Sequence, residues 1–228
     1  MILNRTTRNR ATRHRTARNR ATRHRSTARR ALRISAVAAA AFTAVVALAT
    51  SAFAGTVSPG GAFTATRSPW TVTDPTTGVT LTCGSLTLAG TLASSPTTLI
   101  GTVNSATATG CSGPVGITFS LTFQGLPWRI DELTYDGSTG IATGTISGVI
   151  ARLSGLCNAT VSGIGGPTSP GTLDWSHNNS VPQILNITGS GPLRASSVSG
   201  TCLGLINNGD TMTVGTGPYT LNPPQTIS

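Results

Sequence analysis

Gly116-Ile-Thr-Phe-Ser-Leu-Thr-Phe123 sets Ile117, Phe119, Leu121 and Phe123 against Gly116, Thr118, Ser120 and Thr122, strict period-two alternation over the whole run. Successive side chains on a strand point to opposite faces, so this is the pattern of a half-buried β-strand with Thr and Ser on its wet side. Thr suits that side because its β-branched side chain fits a pleated, solvated surface without charge. The same alternation recurs in Ala62–Thr66, Pro69–Thr73, Thr98–Val103, Gly140–Ile150, Val181–Thr188 and Thr211–Gly215. Pro and Gly divide these runs into about 10–12 short strands.

Two hairpins can be placed. Asp136-Gly-Ser-Thr-Gly140 separates Arg129–Tyr135 from Ile141–Ile150, and Asn207-Asn-Gly-Asp210 separates Thr201–Ile206 from Thr211–Gly215. No stretch after residue 54 keeps a 3.6-residue apolar period over three turns. The expected fold is all-β, an antiparallel β-sandwich or flattened β-barrel, and frequent turn signals exclude parallel strands with helical crossovers.

Ahead of this domain the composition changes. Twelve of the sixteen basic residues are arginines between Arg5 and Arg33. An Ala-rich apolar stretch follows from Ile34 to Ala49, then Ser51-Ala-Phe-Ala-Gly55. A positive segment, an apolar segment and a small-x-small motif, in that order, read as an export signal cut between Ala54 and Gly55. The domains expected are therefore an Arg-rich signal peptide, 1–54, and one secreted β domain, 55–228. The whole chain carries a formal charge of +10; residues 55–228 hold four arginines, no lysine and six acids, a formal charge of −2. The basic character belongs to the leader. Within it, Arg5–His14 recurs almost letter for letter as Arg15–His24. No aromatic residue interleaves these arginines, so they read as a repeat ahead of a signal and imply no nucleic-acid partner. Left uncut, residues 34–54 are long enough to tether the protein to a membrane, which is the alternative localisation to secretion or the cell envelope and the expected route to membrane contact.

All four cysteines, Cys83, Cys111, Cys157 and Cys202, fall in the exported part. An even number in an oxidising compartment implies two disulfides, and the wide spacing does not suit a metal site. Of three connectivities, the sequential one suits two halves that look alike. A strand-like segment follows Cys83 and Cys157, and a Gly-rich turn surrounds Cys111 and Cys202.

The run of Cys83, Gly110-Cys-Ser-Gly-Pro-Val-Gly116, Leu126-Pro-Trp128, Gly144-Thr-Ile-Ser-Gly148 and Cys202-Leu-Gly-Leu-Ile-Asn-Asn-Gly-Asp210 resembles uncharacterised exported β-rich proteins of high-GC Gram-positive bacteria. That resemblance implies a compartment and a fold. It implies no activity.

Catalytic sets are sparse. The exported part has one histidine, His177, in Asp174-Trp-Ser-His177. It would be a general base if Asp174 or Ser176 converged on it, but prolines on both sides read as a polar loop. Asp131 and Glu132 are neighbours on an expected strand and so point to opposite faces. Arg129 shares the Asp131 face and pairs with it, and Asp136 opens a turn. Trp70, Trp128 and Trp175 are expected in the core rather than as a stacking platform. No catalytic residue, metal or cofactor follows from these features. The function expected is a noncatalytic secreted or cell-envelope domain with a structural or interaction role. Its ligand-binding residues are unknown, and cell-envelope polymers or proteins are the partners to test. The alternative is an extracellular carrier for a small apolar ligand or polysaccharide, which would show as an enclosed space of about 300 Å³ or more.

Overall fold

A computed structural model of the chain describes residues 55–189 and 191–228. The arginine repeat, the apolar stretch 34–54 and Ala54 lie outside the described residues. After β1 (Val57–Ser58) come β2 (Gly61–Arg67), β3 (Trp70–Asp74), β4 (Val79–Leu92) and β5 (Leu99–Ser112). Then follow β6 (Thr118–Gln124), β7 (Trp128–Asp136), β8 (Ile141–Gly155), β9 (Cys157–Ser162) and β10 (Gly171–Asn178). The last five are β11 (Ile184–Thr188), β12 (Leu193–Gly200), β13 (Thr211–Val214), β14 (Gly217–Asn222) and β15 (Thr226–Ile227).

The pairings reduce these strands to a simple plan. β2 and β3 run along one side of β4 in a single register, from Gly61 opposite Leu92 to Asp74 opposite Val79. They are one strand broken at Ser68-Pro69. β6 and β7 are likewise one strand along β8, broken at Gly125-Leu-Pro127. β9 with β10, β12 with β11, and β13 with β14 complete the set. The breaks carry Gly or Pro, residues that interrupt a ladder by omitting a side chain or a donor N–H. Eight antiparallel staves result, each beside its sequence neighbour. β14 returns to β2 and β13 to β3, so the ladder closes on itself as a flattened barrel.

Alternation then sorts the side chains. Inside lie Trp70, Leu86, Trp128, Ile146, Trp175, Tyr219 and their neighbours, all buried. Outside, hydroxyls meet across strands: Thr66 with Thr87, Thr73 with Thr80, Ser85 with Thr109, Thr91 with Thr102 and Thr134 with Thr143, at 2.6 to 3.3 Å. Such cross-strand pairs stabilise a sheet in place of charges.

One end of the barrel is closed by the pairing of β1 with β15. The other carries the β5–β6, β8–β9 and β12–β13 connections. The disulfides join Cys83 to Cys111 and Cys157 to Cys202. Cys83 and Cys111 face each other directly across β4 and β5, so Cys111 lies within a strand, one residue from its end, and the turn from Gly113 follows it.

The hairpin at Asp136–Gly140 forms as expected, with Gly140 N–H donating to Asp136 O and Ser138 N–H to Asp136 Oδ1. The expected strand Thr201–Ile206 does not form. Gly200 and Leu203 have positive φ, Cys202 is tied to Cys157, and Leu205 N–H donates to Cys202 O, which together make a turn-rich connection. The return to β13 is instead pinned by Ala195, which bonds Gly209 N–H and Asp210 O.

Candidate functional site

Six large apolar side chains among the described residues are exposed, and three of them gather at the open end of the barrel. Val115, on the β5–β6 connection, is 88% exposed; Leu156, at the β8–β9 turn, 66%; Leu203, on the β12–β13 connection, 70%. The Cys157–Cys202 bridge follows Leu156 and precedes Leu203, so it fixes those two loops together, as does Thr201 N–H donating to Leu156 O at 2.8 Å. Val115 and Leu203 have φ of 54° and 51°. L-residues other than Gly, Asn and Asp avoid that left-handed region, a β-branched one most of all. Two loops thus hold apolar side chains in water in a backbone form that opposes them.

Between these loops lies an apolar cleft bounded by Leu81, Pro114, Ile117, Phe119, Leu205 and Ile206, enclosing about 30 Å³. Leu81, Phe119 and Leu153 also line an interior void of about 50 Å³. The wall is open beside it. β5 pairs with β6 at Cys111–Phe119 and with β7 at Val103–Trp128, and no ladder is formed between those points. Phe119, Leu121 and Phe123 alternate inward on β6 yet are only half-buried, because this seam exposes them. Trp128 closes the far end, edge-on to Phe123 at 5.7 Å and donating Nε1–H to Gln124 O at 2.8 Å. An apolar track therefore runs from the rim along β6. A third interior void encloses about 20 Å³. These spaces fall well short of the roughly 300 Å³ of an enclosed ligand site; the larger spaces, about 520 Å³ beside Thr64, Thr91 and Asn222 and about 300 Å³ beside Arg152, Asn158 and Ser199, are surface grooves.

At the capped end, His177 departs from expectation. It is not in a loop but on β10, fully buried, with Nδ1 2.9 Å from Ile184 O and Nε2 2.9 Å from Gln225 O. A ring nitrogen that carries hydrogen donates to the carbonyl it faces. Asp174 and Ser176 lie on the opposite face of the strand, so no nucleophile meets the ring. The histidine anchors the segment before β15. Asp131 and Glu132 do point apart. Asp131 pairs outside with Arg129 at 3.0 Å, whereas Glu132 is fully buried, and burial pushes its carboxyl up to about 7. Ser138 hydrogen bonds hold the Asp136 carboxyl down at about 2, as befits a turn residue. Trp70, Trp128 and Trp175 are all buried. What alternation alone did not reveal is the seam and the rim, which depend on which strands meet.

No curated protein and no solved structure matches the chain. The profile of one protein family, described as alkane oxidation protein activator PraA/PraB-like, matches residues 30–226, which takes in the barrel and 25 residues ahead of it. This match covers most of the chain's length, and the chain belongs to the alkane oxidation protein activator PraA/PraB-like family.

Proposed function

We propose that the protein is an exported, noncatalytic accessory factor for alkane oxidation that takes hold of alkyl chains at its apolar rim, outside the cell or in its envelope. The rim carries this reading. Val115, Leu156 and Leu203 stand in water at one end, beside an apolar cleft, whereas Leu133, Ile164 and Val181, the other exposed large apolar side chains among the described residues, lie on other elements. Clustered apolar surface of that kind serves contact. The family's description supplies the chemistry of what is contacted, and an activator helps a reaction that another protein performs. The filled interior supports surface capture over encapsulation. Two disulfides and a near-neutral domain fit work in an oxidising exterior.

The test is saturable binding of a fluorescent fatty-acyl probe to the exported protein, with n-dodecane as competitor. Wild type should bind and release the probe, and the double variant Leu156→Ser/Leu203→Ser should bind it at least about tenfold more weakly, a loss of roughly 1.4 kcal/mol. Absence of saturable binding by wild type, or equal binding by the variant, defeats the proposal. Retention on cell-wall polymers instead would return the protein to a purely envelope-binding role.

A further inference from the structure

Gly55 lies against Glu132. A Cβ on Gly55 would fall 2.5 Å from Glu132 Oε2 and 2.5 Å from Ile100 Cγ2, so the glycine main chain sits close against both side chains. No larger residue fits there without displacement. Gly55 is itself buried, and its carbonyl accepts from Ser95 N–H at 2.9 Å. Glu132 is 0% exposed, and neither of its carboxyl oxygens has a hydrogen-bond partner among the described residues.

An ionised carboxylate in such a place needs a cation. The domain's arginines are placed elsewhere. Arg67 donates to Gly215 O and Pro69 O, Arg129 pairs with Asp131, and Arg194 donates to Gly209 O and Thr211 Oγ1. Arg152 is exposed on the half of β8 near the open end. There is no lysine in the sequence. His177, the other titratable group buried at this end, faces Ile184 O and Gln225 O. Unpartnered, the carboxyl is pushed up to about 7 by burial, so near neutral pH it readily keeps its proton.

We propose that export processing makes the missing cation: cleavage between Ala54 and Gly55 leaves an α-ammonium on Gly55 that pairs with the Glu132 carboxylate inside the capped end of the barrel. The cut is a hydrolysis by a signal peptidase. The Ala54 carbonyl carbon to Gly55 nitrogen bond breaks, water gives its hydroxyl to Ala54 and a proton to the new amine. At neutral pH the Ala54 acid ionises and the amine takes a second proton. Glu132 then gives up its own proton beside the new charge. Maturation thereby completes the fold at a position the small-x-small motif marks independently. This inference stands apart from the alkane reading, and neither falls with the other.

The lysine-free sequence makes the test clean, because the processed protein has one primary amine. The full chain is expressed in a host that exports it, and the first residue of the product is sequenced. Native and urea-unfolded protein are then acetylated with an N-hydroxysuccinimide ester. Gly55 should be the first residue. Ion pairing raises the amine pKa, and each unit of increase removes about nine-tenths of the reactive free amine, so native acetylation should be at least ~10-fold slower than unfolded. Glu132→Gln should bring the native rate close to the unfolded one. A different first residue, an uncut chain, or equally fast acetylation of native and unfolded wild type overturns the proposal. So does full protection in Glu132→Gln, which would assign the shielding to burial alone. If Glu132→Gln does not fold, Gly55→Ala serves in its place: its added methyl separates the amine from the carboxylate, and acetylation should quicken, whereas an unchanged rate counts against the pair.

Discussion

Asn179 pairs with Ile227 as another strand would: its Nδ2 donates to Ile227 O and its Oδ1 accepts from Ile227 N–H, both at 2.9 Å. One side chain thus extends the short β1–β15 ladder that caps the barrel. Asn179→Ala removes both bonds and leaves a buried main-chain group unsatisfied, at about 1–3 kcal/mol. Urea unfolding should show that loss, and hydrogen exchange should quicken most at the Ile227 amide.

Gly144 lies under Trp175, in contact with Asp131 O of the adjoining strand; a Cβ there would meet the carbonyl and come within 2.7 Å of the indole. Main chain cannot yield as a flexible side chain can, so Gly144→Ala should cost about 1–3 kcal/mol or more through overpacking. Gly166→Ala, whose Cβ would meet open space, is a useful comparison for the effect of φ alone. A Gly144→Ala protein as stable as wild type would contradict this packing.

With the proposed cleavage before Gly55, Glu132 should make the pH dependence of stability differ between uncut and cut protein. While Gly55 is still an amide, the folded carboxyl titrates at about 7, above the unfolded range. The folded state then binds the extra proton, so stability is greatest below the unfolded value of roughly 4.3 and falls by roughly 3 kcal/mol as pH rises to about 7. Beyond that it levels off. In protein cut at that point, the proposed ammonium should remove the fall. Urea midpoints from pH 4 to 8 on a cleavage-blocked chain and on mature protein distinguish the two.

Val115 and Leu203 should trade stability against binding. Asn tolerates the left-handed region, so Val115→Asn and Leu203→Asn should each raise stability, by up to about 1 kcal/mol, while weakening capture of an alkyl probe. Thermal melts and probe titrations on the same samples would show opposite signs. A fall in both would mean that the side chains pack in the folded state more than they strain it.

Local alternation was enough to find much of this molecule. Most of Gly116–Phe123 became β6, which starts at Thr118, the Asp136 turn formed, and Arg129 met Asp131. Alternation also marked more than was drawn from it. Leu173, Trp175 and His177 occupy every second position, so the histidine sat in an apolar slot of a strand, although Pro167, Pro170 and Pro182 on either side suggested a loop. Glu132 follows Trp128 and Ile130 in the same way. Closure was not legible, since the pairing of Thr66 with Thr220 joins residues from opposite ends of the domain and leaves no local trace. The rim was hidden for a related reason: Val115, Leu156 and Leu203 are isolated letters until the Cys157–Cys202 bridge and the barrel end bring them together.

Because the staves curl round to meet, the backbone's sticky margins are spent on one another, apart from the gap beside β6. Oil–water boundaries ordinarily coax proteins to unravel and knit into films through such margins. A molecule with its hems sewn shut offers such knitting little beyond that one gap.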